Sequence, residues 1–72
     1  MAESLTVLVV DDEPDVCWAL ETLLRRERFT VVTVGNGTEA LRWLKEPEQA
    51  CHLILIDAKL SDIEGVDLAR RI

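Results

Sequence analysis

Three runs of branched apolar residues alternate with stretches whose apolar positions recur at helical spacing. The runs are Leu5-Thr6-Val7-Leu8-Val9-Val10, Phe29 to Val34, and Cys51 to Ile56. Little polar alternation within such a run marks a strand buried on both faces, the pattern of a parallel sheet. Between the first two, Val16, Ala19, Leu20, Leu23 and Leu24 recur at helical spacing, with Glu21, Arg25, Arg26 and Glu27 on the opposite side. Pro14 and Asp15 suit the first turn of that helix, one by its fixed φ and the other by its charge. Gly35-Asn36-Gly37 predicts a turn, since these residues tolerate positive φ, and Thr38 predicts the cap of a second helix with Ala40, Leu41 and Leu44 inside. Pro47 is expected to stop it. Ala58 to Glu64 is expected to be a loop, and Gly65 to lead into a third helix with Leu68, Ala69 and Ile72 inside.

Alternating strands and helices predict an α/β fold with right-handed crossovers. Two strand orders are open, and 2-1-3 places the first strand centrally beside a topological switch, where open α/β sheets bind ligands. The third helix is still apolar and uncapped at Ile72, so the chain reads as the N-terminal part of one domain.

Charge decides which partners are plausible. The 72 residues carry a net charge of −6, which argues against direct contact with nucleic acid or an anionic membrane. No apolar stretch approaches the ~20 residues of a membrane span. Met1-Ala2-Glu3-Ser4 lacks the positive region of a signal peptide. Cys17 and Cys51 have no metal-type spacing and read as ordinary buried thiols of a reducing, cytoplasmic compartment.

The candidate chemistry lies at the strand ends. The first strand runs into Asp11-Asp12-Glu13 and the third into Asp57. Parallel neighbours lie about 4.8 Å apart, so adjacent strands would gather these carboxylates in one cleft. Their mutual repulsion calls for a cation, and Mg²⁺ prefers oxygen ligands of this kind.

The stretch Val7-Leu8-Val9-Val10-Asp11-Asp12-Glu13-Pro14, then Leu53-Ile54-Leu55-Ile56-Asp57 with Gly65 eight positions on, resembles the receiver domain of bacterial two-component response regulators. The resemblance covers the whole chain, and around Trp18 it is similar to receivers of nitrogen-regulator-type transcriptional activators. It implies a partial flavodoxin-like (CheY-like) parallel sheet of order 2-1-3 with flanking helices, the last two strand–helix units being absent. It implies that Asp57 accepts a phosphoryl group from a sensor histidine kinase in a phosphorelay controlling transcription. Asp12 would bind Mg²⁺ directly and Asp11 largely through water, with Asp57 and the backbone carbonyl of Lys59 completing the protein's share. No independent substrate turnover, and so no enzyme in the ordinary sense, is expected.

Two departures stand out. Leu60-Ser61 replaces the usual Met-Pro after the phosphoacceptor, which preserves volume but frees the loop somewhat. The Ser or Thr of the family's fourth strand and the Lys of its fifth have no counterpart here. An apolar third strand at a sheet edge is a template for pairing, so self-association through that edge or in place of the missing half is expected.

Other readings attach to single residues. Asp62 and Glu64 read as loop charges, and His52 as a structural or partly exposed histidine at the end of the strand opposite Asp57. Trp18 and Trp43 read as covering helix edges, the first helix being the surface that meets the kinase in the family. A nucleotide triphosphatase lacks its G-x-x-x-x-G-K-[ST] loop, and a flavodoxin-type binder would find Asp11-Asp12-Glu13 repelling its phosphate. The spacing also fails the pattern of phosphotransferases with an aspartate nucleophile. The alternative that survives is a degenerate receiver acting as a phosphorylation-independent interaction module.

Overall fold

The computed structural model describes residues 5–46, 48, 50–57, 60 and 62–72. Its elements are β1 (Thr6–Val10), α1 (Pro14–Arg26), β2 (Thr30–Val34), α2 (Gly37–Leu44), β3 (Leu53–Ile56) and α3 (Gly65–Arg71). The three strands form a parallel sheet of order β2-β1-β3, as the sequence predicts. Registers run from Thr6 opposite Thr30 to Val10 opposite Val34, and from Val7 opposite Leu53 to Val10 opposite Ile56.

Because β1 is flanked on both sides and covered on both faces, Val7, Leu8, Val9 and Val10 are each at most 1% exposed. Strand side chains alternate between faces, so this one strand feeds two cores. Leu8 and Val10 pack with Ala40 of α2 and Leu68 of α3. Val7 and Val9 join Val31 beneath Cys17, Leu20 and Leu24 of α1, together with Phe29 and Leu55.

The inner face of α1 is a correction. The sheet is met by Cys17, Leu20 and Leu24, whereas Val16, Ala19 and Leu23 are exposed, Leu23 by 57%. Cys17 Sγ donates to the carbonyl of Asp11 at 3.3 Å, and that contact goes with the 17-20-24 stripe, not its neighbour, facing inward. Leu68 of α3 is fully buried, while Ala69 and Ile72, the latter just past the helix, are exposed. Trp18 is 70% exposed and Trp43 packs half-buried against the Leu8 core.

The start of α2 also differs from expectation. The cap is Asn36, in extended conformation, and not Thr38; the turn before it is made without positive φ at either glycine. Its Oδ1 accepts from the Glu39 N–H at 2.8 Å, and Glu39 Oε2 accepts from the Gly35 N–H at 3.1 Å, a reciprocal arrangement close to a capping box. Asn36, two residues before Thr38, takes the cap because its side-chain carbonyl reaches the third helical N–H.

Arg28, at φ 67°, has positive φ at the end of α1. There the N–H of Phe29 reaches the carbonyl of Leu24 and that of Arg28 reaches Arg25, the paired bonds of a Schellman ending. Phe29 therefore closes the helix and does not open β2. Cys51 and His52 likewise precede β3, although the His52 N–H already bonds the Thr6 carbonyl at 2.9 Å. The expected stop at Pro47 lies outside the described residues. No helix among the described residues is long and apolar enough to cross a membrane.

Candidate functional site

Backbone pairing fixes the cleft before any side chain does. Past the ends of the strands, the Asp11 N–H still bonds the Val34 carbonyl at 3.1 Å, and the Asp57 N–H bonds the Val10 carbonyl at 2.9 Å. Both residues thus hold ladder positions one step beyond the last strand residue, where the chain leaves the sheet. Asp11 Oδ1 accepts from the Glu13 N–H at 2.9 Å, turning the chain toward α1. Such a local carboxylate-to-backbone bond is the usual device for leaving a strand. It also holds the Asp11 side chain at the mouth of the cleft.

One carboxylate oxygen from each of Asp11, Asp12 and Asp57 lies within 4.8 Å of the other two. Asp11 and Asp57 are half-buried and Asp12 is exposed. The donor set is all oxygen, anionic and open on one side. That chemistry fits a hard divalent cation that keeps several of its own waters. Lys59, whose carbonyl the resemblance adds to the set, lies outside the described residues.

Beside the cleft, between α1 and the end of β2, runs an open groove lined by Asp11, Asp12, Cys17, Trp18 and Glu21. Burial pushes the Cys17 thiol up from its ordinary range, and the negative charges of Asp11, Glu21 and Asp12 push it further. The thiol therefore stays protonated at neutral pH and acts as a packing and hydrogen-bonding group.

His52 lies at the far end of β3, with Nδ1 accepting from the Thr6 N–H at 2.9 Å, a structural contact remote from the carboxylates. Asp62 is no free loop charge. Its Oδ1 accepts from the Gly37 N–H at 2.9 Å, and its Oδ2 from the Thr38 N–H at 2.9 Å and the Thr38 hydroxyl at 2.7 Å. Those bonds, the Thr38 hydroxyl first, hold the Asp62 carboxyl below its usual range. The sequence offers only an isolated Asp, because its partners lie 24 and 25 positions earlier.

Comparison with known proteins agrees with this architecture. The family model described as response regulator receiver domain matches residues 7–72. The chain is 35% identical over 68 residues to the two-component response regulator ARR11 of Arabidopsis thaliana, covering 94% of this chain and 13% of that protein. It is 36% identical over 64 residues to the DNA-binding response regulator MtrA of Mycolicibacterium smegmatis, covering 89% and 27%.

Among solved structures, response regulator protein TrrA of Thermotoga maritima, in complex with Mg(2+)-BeF, superposes with a TM-score of 0.85. It is 34% identical, with 94% of this chain and 57% of that one covered. TrrA in complex with the histidine kinase ThkA gives a TM-score of 0.82 at 33% identity, covering 93% and 56%. The chain therefore spans a little over half of these receiver structures and a smaller share of the curated relatives. A three-stranded β2-β1-β3 sheet, an acidic cleft at its carboxyl edge and a family match over nearly its whole length lead to one assignment: the chain belongs to the response regulator receiver domain family.

Proposed function

We propose that this chain supplies the phosphoacceptor half of a receiver, in which Asp57 takes a phosphoryl group from a phosphohistidine on a sensor histidine kinase. The observation that carries the reading is the convergence of Asp11, Asp12 and Asp57 within 4.8 Å at the carboxyl edge of the sheet. A carboxylate oxygen of Asp57 would attack phosphorus as the P–N bond breaks. The imidazole leaves with the bonding electron pair, and Asp57 becomes an acyl phosphate. Asp12 and Asp57 would hold Mg²⁺ directly, Asp11 largely through water, and the carbonyl of Lys59 would complete the set. When bound, the ion offsets repulsion between the two approaching anions and the charge that builds on the phosphoryl oxygens.

The chain's own part is positional. The Val10 carbonyl holds the Asp57 backbone, and the turn through Glu13 holds the Asp11 side chain. Support for the metal and the kinase comes from TrrA, whose structures are described with Mg(2+)-BeF and with a histidine kinase. Control of transcription is supported by the DNA-binding response regulator among the relatives. A cytoplasmic setting and the lack of independent turnover follow from the same reading.

Incubation of the full-length protein with acetyl phosphate and Mg²⁺ tests it. Intact-mass analysis is expected to show one added phosphoryl group, lost in Asp57→Asn and on chelation of the metal. Equal labelling of Asp57→Asn would remove that residue from its role. No labelling of the wild type would favour the phosphorylation-independent interaction module.

A further inference from the structure

Asp62 sits five residues past Asp57 and reaches back to the start of α2. Both of its oxygens are engaged, one on Gly37 and the other on the Thr38 backbone and hydroxyl. These donors include N–H groups of the first helical turn that have no partner inside the helix, so a carboxylate is their natural complement. The approach is close. A Cβ on buried Gly37 would overlap Ile63 Cγ2 and stand 3.3 Å from Asp62 Oδ1, so only glycine admits the loop here. Ile63 and Leu60 both pack against the Leu8 core, on the same side as α2. At the other end, the Asp57 N–H is fixed on Val10. Asp57 is therefore anchored on β1, and Asp62 and Ile63, five and six residues later, on α2 and the core.

We propose that Asp62 is a positioning residue: its bonds to Gly37 and Thr38 anchor the chain five residues past Asp57 and so help to hold that aspartate at the acidic cleft. This rests on the receiver reading, since it is Mg²⁺ binding at the cleft that the positioning serves. Asp62 is not among the three carboxylates that converge at the cleft. It acts through the chain that leads back to Asp57. Groups that orient metal ligands from behind commonly cost about 10-fold or more in metal affinity when removed.

The test uses full-length protein and Mg²⁺ alone, titrated by calorimetry without any phosphodonor. Asp62→Ala is expected to raise the Mg²⁺ Kd by about 10-fold, Thr38→Val by less, and Asp62→Asn, which keeps one acceptor oxygen, by an intermediate amount. Leu24→Ala, in the core on the opposite face, is expected to lower thermal stability and leave the Kd unchanged. Wild-type affinity in Asp62→Ala overturns the proposal, as does equal weakening in Leu24→Ala, which would mean that any loss of stability is sufficient. Should Asp62→Ala fail to fold, Thr38→Val removes one bond of three and still decides between these results.

Amide exchange in metal-free protein separates this proposal from the reading beneath it. Faster exchange at Leu60 and Ile63 in Asp62→Ala, with β1 unaffected, is expected whether or not the wild type binds Mg²⁺. An unchanged exchange pattern overturns the positioning role. Absence of Mg²⁺ binding by the wild type defeats the metal reading alone.

Discussion

A carboxylate that accepts three hydrogen bonds is stabilised in its charged form, and Asp62 shows the consequence for pH. Its folded-state value lies below that of the unfolded chain, so the ionised group favours folding at pH above the ordinary carboxylate range. That contribution declines as pH falls through the lowered value. The Thr38 hydroxyl is the foremost cause, ahead of the Gly37 and Thr38 N–H groups. Thr38→Val is therefore expected to move the Asp62 carboxyl titration upward, followed by carbon-detected NMR of the side chain. An unmoved midpoint would show that the hydroxyl does not bond Asp62 in solution. Residue-level chemistry elsewhere was legible in part. Asp11, Asp12 and Asp57 stand out because each follows an apolar run, and the fold brings them together. Asp62 and Cys17 stay hidden because their partners are set by packing between elements, and nothing local in the sequence marks them.

Among the elements, the helix ends carry more information than the helix bodies. Asn36 satisfies an orphan N–H of α2 while Glu39 returns a bond to Gly35. Asn36→Ala is expected to cost about 1 kcal/mol, read as a lower urea midpoint with an unchanged m-value. No loss would mean that Glu39 and Asp62 together suffice to start the helix. Strand identity was readable from the branched apolar runs, whereas the order β2-β1-β3 came from the family resemblance and the need to bring the acidic tips together. The face of α1 was not readable. Val16-Cys17, Ala19-Leu20 and Leu23-Leu24 offer two overlapping apolar stripes, and periodicity cannot choose between stripes one residue apart. The contact of Cys17 with Asp11 goes with the inner stripe, a detail of tertiary geometry. Boundaries at Phe29 and Cys51 slipped by one or two residues for a similar reason: a cap and a lead-in share the composition of a strand.

At the scale of the whole molecule, β3 forms a sheet edge among the described residues, with Leu53 49% exposed and Ile54 to Ile56 half-buried. Such an edge offers unpaired backbone groups to another strand. The 72-residue chain is expected to associate with itself at high concentration, and Leu53→Lys to oppose this; multi-angle light scattering checks both. A monodisperse monomer at high concentration rules the association out. The placement of β1 has another outcome, which concerns how the molecule breathes. With two hydrogen-bonded neighbours and almost no solvent contact, its amides should be the last to take up deuterium. Asp11 and Asp12 follow directly from this most protected segment. Fluctuations that loosen the periphery would therefore leave the paired aspartates in place, making them the fixed jaw of the cleft.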